Sequence, residues 1–219
     1  MCGIPKDRYY LYKSYWNQKE TTVHILPHWN WNAAVGKVPV MVYTNGDCAE
    51  LFLNGKSMGM RCKDPKSRVS TDRFRLSWND VEYQPGELKA VAYKEGAVIG
   101  EKIMRTAGEP ATLKLTPDRR TIKADGMDLS YVLVEAYDKA GNPCPLAMNT
   151  LDISMTGVGQ IAAIGNGDPQ SLDPFQGNKV KLFYGKALVI IKGGSKPGDA
   201  KITVSIAGIE KALVTLKVE

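Results

Sequence analysis

The sequence predicts an all-β protein: two tandem immunoglobulin-like β-sandwich domains with a short helical segment at the N-terminus. Short apolar segments with alternating polarity recur along most of the 219 residues, and turns rich in glycine, proline or asparagine separate them. One stretch near the N-terminus breaks this pattern, because its aromatic residues recur at helical spacing. A chain of 219 residues has room for one or two such domains.

Residues 1–21 carry the helical signal. In the segment KDRYYLYKSYW, Tyr9, Tyr12 and Trp16 follow an i, i+3, i+7 spacing that places them on one face of a helix. Asp7 is a favourable acid for the first turn of this helix. We therefore expect one amphipathic helix, whose aromatic face is covered by the sandwich or by a neighbouring chain.

Residues 22–107 form the first predicted sandwich. The strand signals are VPVMVYTN, AELFLNGKSMGM, RFRLSWNDVEY and GELKAVAYKEG. Within the second of these, Asn54 and Gly55 predict a two-residue hairpin turn, because both residue types tolerate the positive φ angles that such turns require.

The four cysteines show no C-x-x-C spacing, so the sequence predicts no zinc site. Cys48 and Cys62 flank the predicted hairpin. If the hairpin strands pair without interruption, Cys48 lies opposite Arg61 and the two sulfurs point to opposite faces of the ladder. A disulfide between them would need a bulge, and we therefore expect free thiols.

Residues 108–219 form the second predicted sandwich, which the chain enters through the joint TAGEPA (106–111). The main strand signals are TLKL, LSYVLVEAYD, LDISMTG, KALVIIKG, AKITVSIAG and KALVTLKVE. The glycine-rich stretch GVGQIAAIGNG (157–167) lacks the G-K-[ST] ending of a phosphate-binding loop. It predicts the short strand QIAAI between two tight turns.

The charge pattern gives no support to a nucleic-acid partner. The net charge is +6, and most of the surplus lies in the segment RCKDPKSRVSTDRFR (61–75), which contains a single aromatic residue. A phosphate-binding surface needs a basic stripe interleaved with aromatics, so we expect a solvated loop. No apolar run approaches the roughly 18 residues of a membrane helix, so we expect no membrane partner.

Residues 24–31, HILPHWNW, hold both histidines of the chain. His24 and His28 have the i, i+4 spacing of paired zinc ligands on a helix. Pro27 disfavours helix at the residue before it, however, and the segment VHIL is typical of a strand. Two histidines without a third nearby ligand are also too few, so we expect neither a metal nor a cofactor.

The same segment supplies the candidate carbohydrate contacts, which are His28, Trp29 and Trp31. Flat rings with polar edges suit the faces of sugars, and an exposed aromatic patch marks a binding surface. Tryptophan is nevertheless highly buried on average. In an extended HWNW segment, Trp29 and Trp31 share one face and His28 lies on the other. The sequence leaves open whether the shared face packs against protein or meets a sugar.

The loop GNGDPQSLDPF (165–175) offers Asn166, Asp168 and Asp173 as oxygen ligands for calcium. Such side chains more often bond their own backbone in turns, which is what we expect. The acids elsewhere lie mostly at turns or on solvated strand faces. Retaining glycoside cleavage needs two carboxyls about 5–5.5 Å apart on a rigid frame, and we expect no catalytic residue in this chain.

Long, ordered motifs resemble a known family. The segments GIPKDRYYLYKSYW, HILPHWNW, AELFLNGKSMG, PGELKAVAYKEG, TIKADGMDLSYVLVEAYDKAGN and IGNGDPQS are similar to the C-terminal part of glycoside hydrolase family 2 enzymes, above all the β-galactosidases typical of Bacteroidetes. The resemblance covers essentially the whole chain. It implies that residues 1–21 are the helical end of a catalytic TIM barrel, that 22–107 are a sandwich of unknown function, and that 108–219 are a bacterial Ig/invasin-like module.

The resemblance implies a non-catalytic accessory region of a β-galactosidase, because no stretch matches the barrel motifs that carry the catalytic glutamates. Its partner would be the catalytic barrel, which it would brace, with carbohydrate as a further contact. It implies a parent enzyme in the periplasm or cell envelope of a Gram-negative bacterium. Two alternatives stay open: an independent carbohydrate-binding module, and a structural or adhesion pair of sandwiches.

Overall fold

The computed structural model describes residues 3–219, and these confirm the all-β prediction, with sixteen strands and two short α-helices. They divide into two compact units. One unit runs from Pro5 to Thr106, and the other comprises Ala107–Glu219 together with Gly3 and Ile4. Among the described residues, neither helix has the length and apolar character needed to cross a membrane.

The first unit is a sandwich of two antiparallel sheets. Its elements are α1 (Asp7–Trp16), β1 (Val23–Leu26), a 3-10 turn (Ala33–Val35), β2 (Lys37–Thr44), β3 (Cys48–Leu53), β4 (Lys56–Cys62), α2 (Ser70–Phe74), β5 (Leu76–Glu82), β6 (Glu87–Lys94) and β7 (Ala97–Arg105). One sheet has the order β1-β2-β5 and the other β4-β3-β6-β7. Alternate apolar residues, such as Val38, Val40 and Val42 of β2, point into a buried core shared by both sheets.

Helix α1 forms as predicted, with Asp7 in its first turn, but it turns a different face to the sandwich. The ring of Tyr10 stacks on His24 of β1, with 3.9 Å between the ring centroids, and Ser14 is buried. The expected contact residues Tyr9, Tyr12 and Trp16 remain 52%, 47% and 72% exposed. Their expected cover on the sandwich is therefore not found within this unit.

The β3–β4 hairpin corrects the prediction of free thiols, because Cys48 and Cys62 form a disulfide. The turn is as predicted, with positive φ at Asn54 and at the glycine after it, and Leu53 pairs with Lys56. The register then shifts between Glu50 and Phe52 of β3. This bulge moves Cys62, rather than Arg61, opposite Cys48.

The residue that makes this bulge is visible in the sequence. Gly59 in β4 has a φ of 91°, in the left-handed region that glycine adopts without a steric penalty. Its carbonyl accepts a 3.0 Å hydrogen bond from the indole N–H of Trp78 in β5, which ties the bulge to the core. Of the other cysteines, Cys144 is a buried free thiol and Cys2 lies outside the described residues.

The basic segment 61–75 is more ordered than the solvated loop that the sequence predicts. It contains the end of β4 and the whole of α2. The ammonium of Lys63 donates a 2.5 Å hydrogen bond to the carbonyl of Thr44, and burial lowers the pKa of Lys63. The guanidinium of Arg75 lies 5.9 Å from the ring centroid of Tyr43. Part of the charge surplus therefore packs against the sandwich.

The second unit is also a sandwich. Its strands are β8 (Thr112–Pro117), β9 (Thr121–Ile122), β10 (Leu129–Tyr137), β11 (Thr150–Gly157), β12 (Gln160–Gly165), β13 (Lys179–Lys181), β14 (Lys186–Lys192), β15 (Gly198–Ser205) and β16 (Ala212–Val218). One sheet has the order β12-β14-β10-β8 and the other β13-β11-β15-β16-β9. The predicted strand QIAAI is confirmed as β12. At Gly157, where φ is 94°, a Cβ would lie 1.9 Å from the carbonyl oxygen of Asp199.

Candidate functional site

The aromatic segment 24–31 is a strand end followed by irregular chain. Strand β1 ends at Leu26, as VHIL predicts, and the Leu26–Pro27 peptide bond is cis. Residues 27–32 belong to no strand. Trp29 is part of the buried core of the first unit, and the half-buried Trp31 packs against the same core.

Trp29 is a core residue. Its side chain is 1% exposed and packs at 62° against the ring of Tyr83, with centroids 5.1 Å apart. Its indole N–H donates a 3.0 Å hydrogen bond to the carbonyl of Gln84, and its own carbonyl accepts from the hydroxyl of Thr106. Both polar groups are thus satisfied by protein. Trp29 offers no ring face to a sugar in this structure, which removes it from the expected carbohydrate contacts.

His28 and Trp31 form a half-buried ring pair. Their centroids are 4.6 Å apart and their planes differ by 25°. Nδ1 of His28 accepts a 3.3 Å hydrogen bond from the backbone N–H of Asn30, and burial lowers the pKa of His28. Burial therefore favours the neutral form of this imidazole. Of the three residues expected to contact carbohydrate, His28 and Trp31 remain candidates.

Trp31 carries an unusual polar atom. Its indole N–H is buried and has no hydrogen-bond partner among residues 3–219. A buried unpaired N–H costs about 1–3 kcal/mol, and such groups often satisfy themselves with a water molecule or a partner chain. Within the described part of segment 24–31, this indole nitrogen is the only buried side-chain nitrogen or oxygen that lacks a hydrogen-bond partner.

The paired histidines do not converge on a metal position. Nε2 of His24 lies 2.8 Å from Oδ1 of Asp7, and its ring is stacked on Tyr10, whereas His28 is stacked on Trp31. No group of three or more His, Cys, Asp or Glu side chains within residues 3–219 is placed to hold a metal ion.

In the second unit, the loop between β12 and β13 is held by its own polar side chains. The amide of Asn166 donates to the carbonyl of Lys181 at 3.0 Å and accepts from the backbone N–H of Asp168 at 2.9 Å. Asp168 in turn accepts a 2.9 Å hydrogen bond from the N–H of Gln170 through Oδ1. These Asx turns are the interpretation that the sequence favoured over a calcium site.

This loop borders a cavity of about 210 Å³ that the sequence did not reveal. It is lined by Ile164, Gly165, Asn166, Gly167, Asp168, Ser171, Asp173, Pro174, Phe175 and Val180. The sequence predicted turns for Asp168 and Asp173, with calcium ligation as the alternative, and it predicted no role for Phe175. Phe175 is 71% exposed, and its carbonyl accepts a 2.8 Å hydrogen bond from the N–H of Ile164.

Two family models match the chain, one in each unit. Residues 113–215 match glycoside hydrolase family 2 C-terminal domain 5, and residues 36–100 match a domain of unknown function (DUF4982).

The chain is similar over its whole length to parts of longer glycosidases. A β-galactosidase from Bacteroides ovatus is 42% identical over 219 residues, which are 100% of this chain and 25% of that protein. A putative β-glucuronidase from Formosa agariphila is 34% identical over 98% of this chain and 20% of that protein. The crystal structure of a β-glycosidase from Bacteroides vulgatus superposes with a TM-score of 0.89 at 30% identity, covering 99% of this chain and 27% of that one. The chain thus spans a quarter or less of the length of these two sequence relatives.

Proposed function

We propose a non-catalytic accessory role within a β-galactosidase for this chain, which belongs to the C-terminal region of family 2 glycoside hydrolases. The 42% identity to the Bacteroides ovatus β-galactosidase supports this parent activity over that of a β-glucuronidase, for which the identity is 34%. The chain packs against the catalytic barrel of its parent enzyme and braces it.

The exposed aromatic face of α1 carries this proposal. Tyr9, Tyr12, Tyr15 and Trp16 are between 47% and 72% exposed on one ten-residue helix, and Tyr12 stacks on Trp16 with centroids 4.8 Å apart. Aromatic side chains dominate the energetics of protein interfaces, and a contiguous exposed patch of them is rare on a protein that acts alone. In the parent enzyme, the catalytic domain covers this face of α1.

The test is assembly in trans. The catalytic part of the parent enzyme and this chain are produced separately and mixed, and complex formation is measured by sedimentation. We expect a complex that the double variant Tyr12→Ser, Trp16→Ser weakens at least tenfold, because buried aromatic anchors are typical interface hot spots. The control is Tyr131→Ser, which removes a comparable exposed aromatic, 40% exposed, from the second unit. Equal loss of complex in the double variant and the control would refute the role of α1.

A second measurement concerns activity. The chain alone is incubated with a nitrophenyl β-galactoside. No turnover is expected, because no stretch of the sequence matches the barrel motifs that carry the two catalytic carboxyls. Saturable hydrolysis by the isolated chain would contradict the accessory role.

We also propose that the parent enzyme resides in the periplasm or cell envelope of a Gram-negative bacterium. The Cys48–Cys62 disulfide supports this compartment, since structural disulfides persist in oxidising environments and are rare in the cytosol. Fractionation of a native host followed by non-reducing peptide mass spectrometry tests the assignment. Recovery of the reduced peptides from the cytosolic fraction would overturn it.

A further inference from the structure

The proposed accessory role does not involve the cavity beside the β12–β13 loop. We propose that it binds one ring of a neutral saccharide, with a β-galactoside as its chemical class. The choice of sugar rests on the proposed function, whereas the cavity and its lining do not. The site is separate from the aromatic segment of the first unit, where the sequence alone placed the carbohydrate contact.

Part of the cavity lining is apolar. Phe175 and Pro174 form it together with the side chains of Ile164 and Val180, which belong to the sandwich. A pyranose ring carries a face of C–H groups that packs on such surfaces, as aromatic rings do on other apolar groups. Most of the surface of Phe175 is uncovered by protein, so its ring is available for this contact.

The rest of the lining includes polar and acidic residues. Asp168 uses Oδ1 within its own turn, and Oδ2 makes no hydrogen bond within residues 3–219. The carboxylate of Asp173 makes none in the same part of the chain, although its backbone N–H donates to the hydroxyl of Ser171. Ionised carboxylates only accept hydrogen bonds, and sugar hydroxyls supply donors of the matching kind. Two carboxylates also disfavour an anionic sugar such as a uronate.

The size and rigidity of the cavity suit a single ring. Its volume of about 210 Å³ is below the roughly 300–1,000 Å³ of pockets for drug-sized ligands, so an oligosaccharide would extend out of it. The hydrogen bonds from Asn166 to Lys181 and from Asp168 to Asn166 fix the loop before any ligand arrives. A preformed wall lowers the ordering cost of binding.

The proposal is tested on the whole chain by ligand-observed NMR and titration calorimetry. The probe is methyl β-D-galactopyranoside, and the charged comparator is sodium glucuronate. We expect saturable binding of the galactoside with a Kd of about 1 mM. Binding of glucuronate should be at least tenfold weaker, because the two carboxylates repel its charge. Glucuronate binding as tightly as the galactoside would overturn the assignment of a neutral sugar.

Two variants and one matched control locate the site. Phe175→Ala removes the apolar ring and Asp173→Asn replaces a charged acceptor with a neutral amide, so each should weaken galactoside binding about five- to tenfold. Both side chains are exposed, so neither change should lower the melting temperature by more than a degree or two. Leu172→Ala is the control: Leu172 lies in the same loop, is 99% exposed and does not line the cavity, so binding should be unchanged.

A fourth variant separates the two sugar hypotheses. If Trp31→Ala abolishes galactoside binding while Phe175→Ala leaves it intact, the sugar binds at the aromatic segment and the proposal is wrong. Absence of saturable binding by the unmodified chain also refutes it. Assembly with the catalytic domain is tested separately, with the α1 variants. A negative result in the assembly test or in the sugar-binding test therefore does not affect the conclusion drawn from the other.

Discussion

The imidazole Nε2 of His24 in β1 lies 2.8 Å from Oδ1 of Asp7 in the first turn of α1. The ring of the same histidine stacks on Tyr10, one turn further along the helix, with planes 9° apart. These two contacts attach a helix whose other aromatic side chains remain exposed. A histidine that the sequence offered as a metal ligand therefore helps to attach α1 to β1.

The first prediction concerns this anchor. His24→Ala should free α1 from β1 and raise the amide exchange rates of the helix about five- to tenfold, because a hydrogen bond and a ring stack each contribute about 0.5–1.5 kcal/mol. Hydrogen exchange resolved by peptide or by residue checks this. The control is Lys37→Ala, which removes the 3.0 Å ion pair of Lys37 with Asp80 away from the helix and should leave α1 unchanged. Unchanged exchange in His24→Ala would show that other contacts hold the helix.

The second prediction separates core tryptophan from surface tryptophan. Trp29→Ala should lower the free energy of unfolding of its unit by about 3–5 kcal/mol, because it empties a core position and leaves the carbonyl of Gln84 without its donor. Trp16→Ala, on the exposed face of α1, should change it by less than about 0.5 kcal/mol in the isolated chain. Urea unfolding followed by circular dichroism measures both. Similar losses in the two variants would mean that Trp29 is not part of the core.

The third prediction concerns Asp138, a buried carboxylate that directly follows β10. Its oxygens accept hydrogen bonds from the backbone N–H groups of Gly108, Ala140 and Asn142, at 2.8–2.9 Å. Burial by itself would raise the pKa of Asp138, but these donors together lower it below its usual value. Asp138→Asn should therefore cost about 1–3 kcal/mol at pH 7, measured by urea unfolding.

The sign of the pH dependence follows from this lowered pKa. The contribution of the Asp138 charge is fully present above the pKa of the unfolded chain, about 3.9, and is lost as the pH falls through the lower pKa of the folded protein. The difference between the natural protein and Asp138→Asn should thus shrink as the solution is acidified below about pH 4. Asp80→Asn, at an exposed ion pair, is the control and should show a difference of at most about 1 kcal/mol at pH 7. A difference for Asp138→Asn that grows on acidification would contradict the assignment.

The fourth prediction concerns which cysteine thiols react with an alkylating reagent. In a Cys2→Ser background without reductant, iodoacetamide should label no cysteine of the folded protein at pH 8. The disulfide protects Cys48 and Cys62, and burial raises the pKa of Cys144 to about 11, so almost no thiolate is present. Denaturation should expose Cys144 alone, and added reductant should then expose all three. Peptide mass spectrometry reads each step. Labelling of Cys62 without reductant would mean that the disulfide is not formed.

Strand and helix positions followed from local patterns because they depend on neighbours in the sequence. Alternating apolar residues predicted β2, β10 and β12, aromatic residues at helical spacing predicted α1, and Asn54-Gly55 predicted the hairpin turn. The same local reasoning failed at Cys48, since pairing beyond a turn depends on every residue of both strands. One extra residue at Gly59 reversed the face on which Cys62 lies.

By itself the sequence determined the fold class, the family and the chemistry that each segment is able to offer, because residue types, spacing and long motifs are properties of the chain. Only the tertiary structure decided which side chains meet. In the folded protein Trp29 is buried, and Trp31 stacks on His28. His24 lies within hydrogen-bond distance of Asp7, and Phe175 lines a cavity together with two aspartates. The physical reason is that burial and cavity shape arise from the packing of strands distant in sequence, which no local pattern encodes.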